Sequence, residues 1–162
     1  MKNIKGIWFY GLSGSGKTTA LKFIKKKLNS IICSLTIDGD LVRKNVSFDL
    51  NYSKRDRIIQ ITRVLGISKL AIQSNIFPIA STVYLNKKIQ SEAKKIGICV
   101  YKIVRSKKEI YKNNSTYKNK KNVVGVDIFY LNLKNKTIYN KTKKKFLLNL
   151  SKIVNKIIQK NV

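Results

Sequence analysis

Histidine is missing from this chain, which rules out imidazole acid–base chemistry before any residue is placed. Cysteine is scarce: Cys33 and Cys99 are the only two, each inside an apolar run (IICSLTI and GICVYKIV). A thiol there packs as a small core residue, so both read as reduced and structural, and no spacing suggests a metal site. Proline occurs once, at Pro78, and neither a Gly/Ser/Pro linker nor an internal repeat interrupts the chain. No uncharged apolar run approaches the roughly 18 residues of a membrane span. The opening MKNIKGIWFYG places lysines before a short apolar stretch, as a secretory leader does. That stretch is too short and runs straight into a glycine loop, so it reads as a buried first strand in a cytoplasmic protein.

Acidic residues are also few, 7 against 35 lysines and arginines, for a formal net charge of +28. Such an excess attracts anionic nucleotides and binds polyanions non-specifically at low salt. It does not by itself identify a nucleic-acid partner. The lysines are spread along the chain rather than gathered in one arm, and they accompany an excess of Asn and Ile that A/T-rich codons also produce.

What remains is an alternation of apolar runs and helical patterns in 162 residues, long enough for one domain with a real core. Strands are expected at Gly6–Tyr10, Ile31–Ile37, Ile76–Thr82 and Ile98–Val104, with a weaker one at Lys136–Tyr139. Their near-continuous apolar character suits parallel strands covered on both faces. Helices are expected at Lys17–Leu28, Ser53–Ser74, Tyr84–Ile96 and Lys143–Lys160. In the last, Phe146, Leu150, Ile153 and Ile157 form one apolar stripe. The order predicts an open α/β fold, a three-layer α/β/α sandwich around a mainly parallel five-stranded sheet. The polar, aperiodic stretch NNSTYKNKK, Asn113 to Lys121, reads as a mobile loop, part of a lid around 113–125 on a single domain covering 1–162.

The sharpest motif is GLSGSGKTT: Gly11, Leu12, Ser13, Gly14, Ser15, Gly16, Lys17, Thr18 and Thr19. It fits the P-loop pattern at every fixed position, after a strand and before a helix, and so predicts ATP binding. The glycines let backbone amides turn inward around phosphates, and the helix N-terminus adds favourable partial charge. Lys17 would bridge the terminal phosphates and the Thr18 hydroxyl would ligate Mg²⁺.

At the end of the second strand, TIDGDLVRKN places Asp38 and Asp40 where open α/β sheets bind ligands. A carboxylate there can hold a metal's water shell, accept a proton, or simply cap a helix. In DLNYSKRDRIIQITR, Ser53 and Asp56 resemble a capping pair, and Arg57, Gln60 and Arg63 recur every three residues. That face would present two guanidinium forks and an amide to a phosphate, sulfate or base, or be a solvated charged surface.

In order, GLSGSGKTT, DGDLVR, DLNYSKRDR and KNVVGVD resemble the adenylylsulfate kinase family over about Gly6 to Asp127. The resemblance implies a P-loop kinase that uses MgATP to phosphorylate a ribose hydroxyl, turning adenylyl sulfate into 3′-phosphoadenylyl sulfate in sulfate activation. It implies Asp38 as catalytic aspartate beside Lys17, with Asp40, Arg43, Arg57 and Gln60 on the acceptor side. Tyr52 would stack on the acceptor base and Lys121 would close over it. A homodimer is a further implication. Two segments depart from the family. NIRR becomes Gln60-Ile61-Thr62-Arg63, and the ISPYRxxR segment becomes Ala80-Ser81-Thr82-Val83-Tyr84-Leu85. Both lie on the acceptor side. Relatives with KNVVGVD-type lids include kinases of cytidine diphosphoramidate in surface-polysaccharide pathways, and a non-catalytic nucleotide- or RNA-binding P-loop protein is the alternative from another class.

Overall fold

The computed structural model describes residues 3–118, 121–129, 133 and 135–161. Residues 119 and 120 of the expected lid lie outside that set.

Five strands, β1 (Gly6–Tyr10), β2 (Ser34–Asp38), β3 (Phe77–Thr82), β4 (Ile98–Val104) and β5 (Lys136–Tyr139), form one sheet in the order β2-β3-β1-β4-β5. Every pairing is parallel. β1 lies in the middle, which explains its unbroken apolar run. Trp8 and Tyr10 turn to one face and Ile7 and Phe9 to the other, and both faces are covered. Helices α1 (Lys17–Leu28) and α6 (Lys143–Asn161) cover the Ile7–Phe9 face, with Ile24, Phe146 and Leu150 buried between them and the sheet. On the opposite face lie α3 (Lys54–Gln73) and α4 (Lys87–Lys95), preceded by the short α2 (Gly39–Asn45). A short α5 (Lys107–Asn113) and a 3-10 turn at Ser115–Lys118 follow β4.

The boundaries have local causes. β2 starts at Ser34 rather than Ile31, because the amides of Ile31 and Ile32 both bond back to Leu28 O at 2.8 Å and extend the end of α1. α3 begins at a reciprocal cap, in which the Ser53 hydroxyl accepts from the Asp56 amide at 3.1 Å and Asp56 returns a bond to the Ser53 amide. α4 starts three residues later than the apolar pattern suggests. Tyr84 and Leu85 are buried core residues of the connection, and Asn86 caps the helix through the Ile89 amide at 2.9 Å. β5 is an edge strand with only Ile138 buried, which is why its signal is weak.

Candidate active site

All five strands deliver their carboxyl ends to one cleft of about 1320 Å³, whose wall includes Thr18, Asp38, Thr82, Arg105 and Asn140. Loops that follow parallel strands emerge at the same edge, and ligands of open α/β sheets bind there.

One side of the cleft is the turn between β1 and α1. Gly14 and Gly16 hold φ of 77° and 108°, the left-handed region that a side chain disfavours. Ser13, Gly14, Gly16, Lys17, Thr18 and Thr19 line the cleft, whereas Gly11, Leu12 and Ser15 are buried beneath the turn. Lys17 donates to the Leu12 carbonyl at 3.0 Å. Burial brings its proton affinity down to about 8, against the opposing pull of Asp40 and then Asp38. The turn is held from outside by three side chains. Asn114 Nδ2 reaches Ser13 Oγ at 2.9 Å, Tyr117 OH reaches Ser13 O at 3.1 Å, and Asn140 Nδ2 reaches Ser15 O at 2.9 Å.

Across the cleft, Asp38 caps α2. Its Oδ1 accepts from the Asp40 amide at 2.9 Å. Its Oδ2 accepts from Thr18 Oγ1 at 3.2 Å and Ser81 Oγ at 3.4 Å, so this carboxylate joins the P-loop to the ends of β2 and β3. Gly39 lets the three meet, since a Cβ there would stand 2.9 Å from Ser81 O. The Asp40 side chain is exposed to the cleft and has no hydrogen-bond or ion-pair partner among the described residues. Gln60 is 4% exposed; its Nε2 donates to Gly39 O at 2.9 Å, while its Oε1 has no partner among the described residues. An amide oxygen in that state costs free energy unless something in the cleft supplies a donor.

The rest of the wall is tied by two arginines. Arg43 donates to Leu50 O at 3.3 Å and Asn51 O at 2.5 Å, holding the loop that carries Tyr52. Arg57 donates to Tyr52 O at 3.1 Å and to Asn122 O at 2.7 Å. The two guanidinium carbons lie 4.7 and 5.6 Å from the Tyr52 ring centroid, with the ring itself 54% exposed. Burial and the neighbouring Arg43 hold the Arg57 proton affinity below its ordinary value. Lys121 and Asn122 complete the rim, in a loop closed by Asp127, whose carboxylate accepts from the amides of Asn122 and Val123 at 2.6 Å each.

The residues expected on the acceptor side therefore converge: Asp38, Asp40, Arg43, Tyr52, Arg57, Gln60 and Lys121 all line the cleft. Arg63 does not. It forms a two-bond pair with Asp49 at 2.5 and 2.8 Å, outside the cleft. Six residues along a helix turn about 120° away from the starting face, so the pattern of every third residue drifts off the site. The Asn113–Lys121 stretch, expected as an irregular loop, contains the 3-10 turn that brings Tyr117 to the P-loop. Sequence reasoning missed Asn114, Tyr117 and Asn140 as P-loop contacts, and Ser81 as a partner of Asp38. Their bonds span 43 to 125 residues, and no local pattern marks such a partner.

The chain is similar in sequence and in fold to known kinases. The adenylyl-sulfate kinase of Bacteroides fragilis (strain YCH46) is 37% identical over 92 residues, 56% of this chain and 45% of that protein. The adenylyl-sulfate kinase of Halothermothrix orenii is 35% identical over 99 residues, 59% of this chain and 54% of that protein. The aligned region thus spans about half the length of these relatives. Among solved structures, the APS kinase of Mycobacterium tuberculosis, in complex with AMPPNP and APS, superposes with a TM-score of 0.82 at 20% identity, over 96% of this chain and 98% of that one. The hexameric APS kinase of Thiobacillus denitrificans gives 0.64 at 17% identity, over 98% of this chain and 29% of that one. At such identities the structures show the shared fold. The family profile described as adenylylsulphate kinase matches residues 4–141, so the chain belongs to the adenylylsulphate kinase family.

Proposed function

We propose that this protein transfers the terminal phosphoryl group of ATP to a ribose hydroxyl of a nucleotide that carries a second anionic group, adenylyl sulfate first. One observation carries the reading: a P-loop cradle and a wall of carboxylates, guanidinium groups and an aromatic ring face each other across a single cleft. In the transfer, the acceptor oxygen forms a bond to the γ-phosphorus, the bond to the β–γ bridging oxygen breaks, and ADP leaves with that electron pair. Positioning and charge stabilisation supply most of the rate in such a reaction, which a small set of residues can provide.

The backbone amides of the P-loop and Lys17 hold the donor phosphates. The Thr18 hydroxyl, backed by Asp38, fits a hydrated Mg²⁺, which supplies charge neutralisation on the phosphates when bound. Both oxygens of Asp38 already accept hydrogen bonds, one of them from Thr18, which supports a role for that residue on the donor side. Asp40 is the freer carboxylate, with its field felt at both Lys17 and Arg57, and we assign to it the proton released by the acceptor hydroxyl. Arg57, Arg43 and Tyr52 shape the acceptor wall. Lys121 offers a cation to the acceptor's second anionic group, and Gln60 Oε1 accepts from a donor on the acceptor molecule.

The KNVVGVD stretch and the altered Ala80–Leu85 segment, which resemble those of cytidine diphosphoramidate kinases, favour that nucleotide as a second acceptor in the same chemistry. Thr62 turns away and bonds the Ile58 carbonyl at 2.9 Å, so it contributes no charge to the acceptor. The deciding experiment supplies purified protein with MgATP and each acceptor in turn and measures ADP release. Turnover with one acceptor, and its loss in Lys17→Ala, is the expected result. Sound substrates that yield no ADP would reject both acceptors, and full turnover by Lys17→Ala would reject the site.

A further inference from the structure

We propose that Asn140 and Tyr117 are positioning residues that aim the amides of the phosphate cradle by holding the opposite ends of two of its peptide groups. The inference rests on the reading of Gly11–Thr18 as a phosphate site, and it concerns what keeps that site in shape before a ligand arrives.

The two anchors act through peptide geometry. In a trans peptide the C=O and the N–H point in opposite directions, and the group is rigid. The Ser13 carbonyl accepts from Tyr117 OH at 3.1 Å, so the amide of Gly14 in the same peptide plane is directed the other way. The Ser15 carbonyl accepts from Asn140 Nδ2 at 2.9 Å, which directs the amide of Gly16 likewise. Neither glycine amide has a backbone acceptor among the described residues. Both glycines line the cleft and both have positive φ, the condition for successive amides to form an anion-binding concavity. A turn rich in glycine otherwise has many accessible conformations, and ordering it on binding would cost conformational entropy. Two anchors on alternate peptides remove that freedom in advance.

Each anchor is itself fixed. The Asn140 amide bonds Val104 O at 2.8 Å, continuing the β4–β5 ladder, so its side chain leaves from the end of the sheet. Gly16 is what admits it, because a Cβ there would lie 2.5 Å from Asn140 Nδ2. Tyr117 stands on the 3-10 turn, with its ring centroid 4.6 Å from that of Tyr111. Burial, then the neighbouring Tyr111, pushes its hydroxyl up to about 12, so it remains a hydrogen-bond donor at every working pH. Asn114, bonded to Ser13 Oγ, seats the same turn. The seating of this segment is thereby linked to the competence of the P-loop.

The test is calorimetric titration of tripolyphosphate and of ATP into the wild type, Tyr117→Phe, Asn140→Ala and the double variant, with thermal melts to verify folding. Tripolyphosphate isolates the cradle from any contact with base or ribose. Each single variant is expected to weaken both ligands by about 5–10-fold, the scale of one neutral hydrogen bond. The double variant should multiply the two losses, since the peptides are distinct. The KM for the nucleotide acceptor should stay within about twofold while that for ATP rises, a split that general destabilisation would not produce. Tripolyphosphate affinity at the wild-type level in folded Tyr117→Phe and Asn140→Ala overturns the proposal, and so does a loss seen with ATP alone. A wild type that binds neither ligand overturns the phosphate-site reading instead.

Discussion

Arg57 donates its Nη2 to the carbonyl of Asn122 across 2.7 Å, joining the first turn of α3 to a loop 65 residues away. The same guanidinium holds Tyr52 O, so one side chain sets the spacing between two parts of the cleft wall. The planar guanidinium serves the two carbonyls from separate nitrogens, Nε and Nη2, a spread that the single nitrogen of a lysine does not reproduce.

Arg57→Lys should therefore fail despite keeping the charge. A lost charge-assisted hydrogen bond corresponds to about 1.5–3 kcal/mol, so the KM for the acceptor should rise roughly 10–100-fold. The KM for ATP should change by less than about twofold, because no bond from Arg57 reaches the P-loop among the described residues. Steady-state kinetics with each substrate varied in turn measure both.

Lys17→Met should make the unliganded protein more stable while removing nucleotide binding. The folded protein lowers the Lys17 proton affinity from 10.5 to about 8, so its charged form is disfavoured there relative to the unfolded chain. Below about 8 both states carry the proton and the full penalty is present. Between about 8 and 10.5 the unfolded state binds more protons than the folded one, so stability rises with pH and the penalty fades. Lys17 is partly open to solvent, so urea titrations near pH 7 should show a gain of only about 1–2 kcal/mol, and a smaller one near pH 10. Nucleotide affinity of the wild type should fall as pH rises past about 8, where the ammonium is lost.

Two glycine-to-alanine substitutions should have opposite signs. Gly125 has φ of 92°, and a Cβ there would come 2.9 Å from Leu12 Cδ2, so Gly125→Ala should cost about 1–3 kcal/mol. Gly66 lies inside α3 with nothing within 4 Å of an added Cβ, so Gly66→Ala should stabilise by about 0.5–1 kcal/mol. Denaturant unfolding of both variants checks the pair.

Arg63→Ala should leave all kinetic constants within about twofold of the wild type. Its fork is engaged by Asp49 away from the cleft, and exposed ion pairs contribute little. A selective rise in the acceptor KM would show that Arg63 leaves Asp49 for the substrate.

The comparison of sequence with structure divides by range. Strand β1, the P-loop and the apolar stripe of α6 were legible because each is specified by neighbours: alternate faces, glycines at a turn, one residue per helical turn. The DGD stretch was legible only in part. Its helix-capping reading holds, since Asp38 caps α2, and the same carboxylate also accepts from Thr18 across the cleft. Of the two readings open for Arg63, the charged surface holds, because spacing alone does not say when a helix face has rotated out of a site. Asn140 was invisible: an asparagine after a weak edge strand looks like any loop residue until the sheet aligns β5 beside β4.

By itself, the sequence determined the layered α/β class, the glycine-rich turn between β1 and α1 and the set of polar residues beside it, because local sterics and periodic burial need only nearby residues. Tertiary structure decided which of those groups are free and which are engaged. Asp38 is occupied while the Asp40 side chain has no partner among the described residues, Arg57 spans two segments while Arg63 is bound elsewhere, and the Ser13 and Ser15 carbonyls are held by Tyr117 and Asn140. Hydrogen bonds between groups distant in sequence form only once the parallel sheet brings the strand ends to one edge, and they determine what each side chain has left to offer a ligand.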